Sequence, residues 1–399
     1  MKMDSELKKF EEVCELVGGS QPSKDEFIYE QKDGYVRLIQ VRDYRTDKFI
    51  TYIPLDKAKR FCSKDDIMIG RYGPPIFGIF KGLEGAYNVA LMKAVVNEKI
   101  CDRNYFYWFL NSDNLRKFVE YSSKRAAGQD GVRKELLDKY PVYVPPLPEQ
   151  QRIVAILDEA FAAIAKAKAN AEQNLKNAKE LFESYLQGVF ENKGEGWEER
   201  KVNEIGNAQT GTTPKTEEKE NYGDFIPFIK PADVDFSGIG DIRYENEGLS
   251  EMGLKKGRKM ESGSILMVCI GATIGKVGFA EREISCNQQI NSLTVKKEFL
   301  PKFIYYAMTS KEFQKKVLLE GKGAQATLPI INKSKWEKLT ISFPKSISEQ
   351  QSIVRQLDAL RTETQRLEAV YKQKLADLEE LKKSILQKAF AGELTGASN

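Results

Sequence analysis

The 399-residue sequence contains no histidine. That excludes every His-based catalytic triad and the zinc sites that combine cysteine with histidine. The five cysteines, Cys14, Cys62, Cys101, Cys269 and Cys286, are odd in number and scattered, and they form no C-x-x-C. They read as buried thiols in a reducing compartment. No apolar run approaches the roughly 18 residues of a membrane-spanning helix. The start, Met1-Lys2-Met3-Asp4-Ser5-Glu6, is charged where a signal peptide would be apolar. The expected location is cytoplasmic. Net charge is only +4, with no basic tail, so any nucleic-acid contact must rest on local groups rather than on overall charge.

Motifs of stand-alone enzymes are also missing. Gly271-Ala272-Thr273-Ile274-Gly275-Lys276 is close to a phosphate loop. The true loop needs four residues between its glycines and Ser or Thr after Lys. Here three intervene and Val277 follows, so a tight turn between strands is the better reading. Methylation of a base amine would call for an Asn/Asp-Pro-Pro-Tyr-type loop, whereas Pro74-Pro75 is followed by Ile76-Phe77.

What is present is a repeat. Glu149-Gln150-Gln151-Arg152-Ile153-Val154 returns 200 residues later as Glu349-Gln350-Gln351-Ser352-Ile353-Val354. The register then holds without a gap: Leu157-Asp158 with Leu357-Asp358, Leu175 with Leu375, Leu186-Gln187 with Leu386-Gln387, Phe190 with Phe390. So long a period marks a duplicated half-molecule rather than a solenoid.

Each copy opens a long helical pattern. One face of the first carries Ile153, Leu157, Ala160, Ile164, Ala167, Ala171, Leu175, Ala178, Leu181, Tyr185 and Val189. The matching face of the second carries Ile353, Leu357, Leu360, Thr364, Leu367, Tyr371, Leu375, Leu378, Leu381, Ile385 and Ala389. The mean step is about 3.6 residues, that of an undistorted helix. Roughly 42 residues would span about 63 Å. The Ala-rich face of one suits the Leu-rich face of the other. The spacing therefore predicts two nearly straight antiparallel helices paired within one chain, with a homodimeric coiled coil as the competing arrangement. The packing residues expected are Ile153, Leu157, Ile164, Leu175, Leu181, Ile353, Leu357, Leu367, Leu378 and Ile385.

Before each helix lies a mixed segment. In the first, residues 5–17 predict a short amphipathic helix and residues 35–45 a strand. Strands follow at 67–69, 76–80 and 90–96, then an aromatic-rich helix over 103–121, a polar loop at 124–133, and a strand over 140–144 closed by Pro145-Pro146. The second segment repeats this plan. Gly211-Thr212-Thr213-Pro214-Lys215 aligns with Gly18-Gly19-Ser20-Gln21-Pro22. Residues 225–233, 264–277, 299–313, 321–327 and 339–343 take the places of the later elements. The aromatic helix reads as core rather than as a stacking platform.

Arg, Gln and Asn can make two-point contacts to purine edges. The first segment offers Arg37, Gln40, Arg42, Arg71, Arg125, Gln129 and Arg133; the second offers Lys215, Lys230, Lys276, Asn287, Gln288, Gln289, Lys322 and Gln325. Taken singly, each is better explained by a solvated surface role. The paired polar loops at 124–133 and 321–327 are the strongest group.

Together these features resemble the specificity subunit of type I restriction–modification systems. The residues that carry the resemblance are Pro146-Leu147-Pro148-Glu149-Gln150-Gln151-Arg152-Ile153-Val154 with its echo at 348–354, and residues 384–395. Gly211-Thr212-Thr213-Pro214, Tyr222 to Ile229, and residues 271–278 complete the match. One departure stands out: the first segment has Gly70-Arg71-Tyr72-Gly73-Pro74-Pro75 where the second has its Gly-Ala-Thr-Ile-Gly-Lys turn. The resemblance implies an α+β fold: two similar mixed α/β target recognition domains joined by two long antiparallel helices, a coiled-coil-like pair with pseudo-two-fold symmetry. The implied divisions are 1–147, first recognition domain; 148–192, first long helix; 193–346, second recognition domain; 347–392, second helix; 393–399, tail.

It also implies a non-catalytic DNA-reading subunit binding double-stranded DNA, each domain reading half of a split, asymmetric site. The helices would set the spacing and dock two modification subunits that carry S-adenosylmethionine and methylate adenine. Motor-nuclease subunits would join them. No cofactor, metal or membrane contact is implied for the chain itself. The rivals are a protein-only two-module scaffold or inactive adaptor, and a stand-alone enzyme.

Overall fold

The computed structural model describes residues 6–72, 76–123, 131–235, 240–321 and 329–394. The chain divides into two compact units. Unit 1 is Met1–Glu172 with Gln373–Asn399, and unit 2 is Gln173–Lys372. The first long helix, Leu147–Glu191, and the second, Ile347–Phe390, each contribute to both units.

In unit 1 a four-stranded antiparallel sheet runs in the order Cys14–Gly18, Leu91–Val96, Ile67–Gly70, Ile79–Phe80. A second sheet runs Tyr52–Pro54, Tyr35–Ile39, Gly85–Tyr87, Phe61–Cys62, its middle pair parallel. Glu6–Lys9 pairs with Pro141–Val144 and brings the chain ends of the mixed segment together. Unit 2 repeats the plan with Gly206–Thr210, Ile290–Val295, Ile265–Val268 and Val277–Phe279 in one sheet. Its second sheet is Gly248–Leu249, Tyr222–Ile229, Ile284–Cys286 and Lys259–Met260, again with a parallel middle pair.

Several expectations need correction. Residues 5–17 are not one helix. They form strand Glu6–Lys9, a single turn Phe10–Val13, and strand Cys14–Gly18. Leu7 is left 72% exposed, while Phe10 and Val13 are buried. Pairing with Pro141–Val144 and Leu91–Val96 overrides the helical period, as tertiary context commonly does. The strand at 35–45 stops at Ile39, because Asp43 caps a tight turn over Val41–Tyr44 by accepting from Gln40 N at 3.0 Å. The helix over 103–121 breaks into Arg103–Leu110 and Asp113–Ser123.

In unit 1 one apolar cluster joins sheet, aromatic helix and long helices: Phe10, Ile67, Tyr105, Phe106 and Phe109 with Ile153, Leu157, Phe161, Ile164, Leu386 and Ala389. The helix segments run antiparallel: Lys168 meets Glu379 at 2.7 Å, and seven residues earlier Phe161 meets Lys382. In unit 2 the matching cluster joins Phe303, Trp336 and Ile341 to Leu186, Phe190, Val354 and Leu357. The aromatic helix is core, as expected.

The buried line of the first helix differs from the expected one. Leu157, Ile164, Ala171 and Ala178 recur every seven residues, a tighter period than the average step of the eleven positions. Beyond Ala178 the line passes through Phe182, Leu186 and Phe190, so Leu181 is 50% exposed and Tyr185 turns outward to Gln356 at 2.6 Å. Of the other expected packing residues, Ile153 and Leu357 are buried, and Leu175, Ile353, Leu367, Leu378 and Ile385 are half-buried. Thr364, the polar residue among the apolar positions of the second face, is 3% exposed and satisfies its hydroxyl on Arg361 O at 3.0 Å.

Candidate nucleic-acid interface

Both units gather loops at one end of their sheets through the same backbone bonds. In unit 1, Asn88 N donates to Ile39 O at 3.0 Å, and Gly19 N to Leu91 O at 2.9 Å. Arg71 N donates to Ala90 O at 2.8 Å, and Val132 N to Arg71 O at 3.1 Å. The Asn88 side chain then accepts from Ala90 N at 3.2 Å and turns the chain into the next strand. Unit 2 makes the counterparts: Asn287 N to Ile229 O, 3.0 Å; Gly211 N to Ile290 O, 3.0 Å; Cys269 N to Gln289 O, 2.8 Å; Ile331 N to Cys269 O, 3.0 Å. Asn287 likewise accepts from Gln289 N at 3.1 Å.

These bonds fix the correspondence between the units. Gly211 matches Gly19, not Gly18, one residue from the expected alignment. A Cβ at Gly19 would lie 2.0 Å from Asn88 O, and one at Gly211 2.2 Å from Asn287 O, so the close approach admits only glycine. Lys230 matches Gln40, Cys269 matches Arg71, Gln288 matches Val89, and Asn332 matches Arg133. Gly275, at φ 88°, matches Phe77, at φ 62°: each amide donates across the turn, to Val268 O at 2.9 Å and to Gly70 O at 3.0 Å. As expected, the glycine-rich stretch at 271–275 is a turn between two strands.

The candidate side chains sort into three groups. Arg37, Gln40 and Arg42 are tied to the protein. Arg37 reaches Asp47 at 3.1 Å; Gln40 and Arg42 share the buried hydroxyl of Thr51 at 3.1 and 3.3 Å; Arg42 also lies over exposed Phe49. Beneath them burial raises the Asp43 carboxyl above the usual carboxylate range. Arg71 and Arg133 are exposed beside the bond that joins Arg71 to Val132, with Arg71 lying over Tyr72.

In unit 2, Lys215 is exposed and pairs loosely with Glu218 at 3.7 Å. Lys230 is ion-paired to Glu247, and Lys276 reaches Asp235 O at 3.5 Å. Exposed Gln288 accepts from Thr213, and Asn287 donates to Gln289 at 3.1 Å. Arg125, Gln129, Lys322 and Gln325 lie outside the described residues. Asn88 escaped the sequence reading. Its signal was available in the parallel between Asn88-Val89-Ala90-Leu91 and Asn287-Gln288-Gln289-Ile290. Two scaffolds with one set of backbone bonds thus present different guanidinium, amide and ammonium groups. Such groups suit base edges and phosphates.

The sequence model of the family described as the type I restriction modification DNA specificity domain matches residues 2–176 and again 194–377. The chain belongs to this family. Specificity subunits are the non-catalytic DNA-recognition components of type I restriction–modification systems, and the family partners with modification subunits. The chain is 25% identical over 418 aligned residues to the EcoBI specificity subunit of Escherichia coli, covering 96% of this chain and 85% of that one. It is 23% identical to the EcoKI specificity subunit of E. coli K12, covering 96% and 88%.

Among solved structures, the fold matches a chain from a study of complex assembly and conformational transition of the type I R-M system. The TM-score is 0.77 at 19% identity, covering 98% and 100% of the two chains. The HsdS subunit of Thermoanaerobacter tengcongensis matches with a TM-score of 0.61 at 18% identity, over 98% and 97%. No helix among the described residues is long and apolar enough to cross a membrane.

Proposed function

We propose that each specificity domain reads one half of a split, asymmetric DNA site through the loop cluster at the end of its sheets. The observation that carries this is the identical stitching of the two clusters around unlike side chains. In the first half the readers are Arg71 and Arg133, with Gln40, Arg42 and Arg37 as a braced group behind them, and Arg125 and Gln129. In the second they are Lys215, Gln288 and Lys276, with Lys230, Lys322 and Gln325. The domain divisions that go with this reading are 1–147, 148–192, 193–346, 347–392 and 393–399.

The long helices hold the halves apart, and 45 residues of helix span about 67 Å, ample for two major-groove contacts about 34 Å apart. Two modification subunits, carrying S-adenosylmethionine, dock on the chain and methylate a flipped adenine in each half-site. Motor-nuclease subunits complete the assembly, in the cytoplasm.

The test is methylation mapping of DNA from cells expressing the chain with its modification subunit. A split motif with methyl-adenine in both halves is expected. A stable complex that leaves DNA unmethylated and shows no sequence preference in shift assays would instead mark a protein-only scaffold.

A further inference from the structure

The two helices carry a charge pattern that the 200-residue repeat inverts. In unit 1, Lys168 on the first helix pairs with Glu379 on the second at 2.7 Å. The repeat places Glu368 opposite Lys179 in unit 2, where both residues line one cavity of about 520 Å3. At these two repeat-related places the first helix carries lysine and the second glutamate, although Glu368 itself pairs with Lys372 at 3.3 Å.

The alternative partner for either helix is a second copy of itself. In the same antiparallel register, two first helices would set Lys168 against Lys179 of the other copy. Two second helices would set Glu368 against Glu379. The neighbouring contact follows the same logic. Lys382 lies over the Phe161 ring in unit 1, and the repeat equates this pair with Arg361 and Phe182 in unit 2. Pairing of two second helices would exchange the ring for a cation and set Lys382 against Arg361, whose native partner is Asp241. The apolar line also differs between the helices, with Ala160, Ala167, Ala171 and Ala178 recurring as Leu360, Leu367, Tyr371 and Leu378, while Leu157, Leu175, Leu186 and Phe190 recur unchanged as Leu357, Leu375, Leu386 and Phe390; exchanging charges leaves that difference untouched.

We infer that this charge register makes each helix select the unlike helix and reject a second copy of itself. An exposed ion pair contributes little to stability, but exchanging attraction for repulsion at several positions at once is how paired helices choose partners. If the proposed function holds, like pairing would give a palindromic reader and unlike pairing an asymmetric one. The inference itself rests only on the helices.

The test starts from the folded full chain. A protease site is placed at 193–196, between Glu191 and the strand Trp197–Lys201. After cleavage the chain remains as two associated halves, and native mass spectrometry follows exchange with an isotope-labelled copy. For the parent protein, mixed halves should outnumber each like pair by about tenfold or more. The variant K179E/E368K leaves the Lys168–Glu379 pair in place, keeps opposite charges at 179 and 368, and gives the two helices the same charge order. It should raise like pairs several-fold, with only a small fall in unfolding temperature from the lost Glu368–Lys372 pair. Adding K168E/E379K gives the first helix glutamate and the second lysine at both positions, the parent pattern with its signs reversed, and should restore selection. Like pairs at the same level in parent and K179E/E368K would overturn the inference. So would failure of the fourfold variant to restore selection. DNA binding is not read at any step, so failure here leaves the proposed function standing.

Discussion

The side-chain amide of Gln150 accepts the backbone N–H of Asp102 at 2.6 Å, across 48 residues of chain. Its Nε2 donates to Ile100 O at 2.8 Å and to Pro145 O at 2.7 Å. Gln350 repeats the arrangement, accepting from Leu300 N at 3.1 Å and donating to Pro344 O at 2.9 Å. Both glutamines are fully buried. The duplicated Glu-Gln-Gln motif is therefore a latch. Each helix start is locked to the start of an aromatic helix and to the strand that precedes it. Gln150→Ala strands buried backbone groups and should cost about 3 kcal/mol. Calorimetry should show unfolding lowered by about 6–12 °C. An unchanged transition would mean that water replaces the amide.

The asymmetry between the loop clusters predicts separable effects on DNA. Arg71→Ala should weaken binding to duplexes that differ in the first half-site, and Gln288→Ala to those that differ in the second. Each should cost about 1–3 kcal/mol of discrimination. Binding by the assembled complex to duplexes with one half-site scrambled reads this directly. Equal weakening at both halves by either change would contradict the assignment of one reader to one half.

Gly275 stands at φ 88° in the turn where Phe77 stands at φ 62°. A Cβ at Gly275 would come within 2.3 Å of Gln314 Oε1, the far end of a flexible side chain. The cost of Gly275→Ala is therefore mainly backbone strain, about 1–2 kcal/mol. Gly211→Ala meets backbone atoms that cannot retreat and should cost more. Chemical denaturation of the two variants ranks them.

Burial pushes up the thiols, Cys62 to about 11 and Cys101, Cys269 and Cys286 each to about 12. Because the thiolate is the reactive form, Ellman's reagent at about pH 8 should find no fast-reacting thiol in the native chain and all five after denaturation. These raised values have a linked effect on stability. Below the unfolded value of about 9 both states keep their thiol protons, and stability is unaffected. Above it the unfolded chain releases protons that the folded chain retains. Stability should therefore fall as pH rises from about 9 toward 11. A transition temperature flat across that range would contradict the burial of these thiols.

Much of this architecture could be read from spacing alone. The repeat, the helices and the order of mixed segments all follow from apolar periods and from Gly and Pro positions, signals that are local in sequence. Residues 5–17 misled because their period fits a helix, while their hydrogen-bond partners lie near residues 95 and 142. Leu181 misled because the buried line shifts by one residue where the larger Phe182 takes over. Asn88 carried no charge and only a short parallel with Asn287-Gln288-Gln289-Ile290 to mark it; the shared backbone bonds make it the twin of Asn287. The roles of Arg37, Gln40 and Arg42 depend on Thr51 and Asp47, which no spacing rule connects to them.

The core of unit 1 closes on Leu386 and Ala389, near the far end of the chain. A ribosome elongating at about 5–20 residues per second would make Ile164 some 10–40 seconds before these partners emerge. Throughout that interval Ile153, Leu157, Phe161 and Ile164 present an uncovered apolar ridge. The first half to be synthesised is thus the one that waits, for partners more than 200 residues downstream. Nascent chains stalled before residue 373 should be captured by holdase chaperones and sensitive to protease within the first long helix, whereas released chains should be neither.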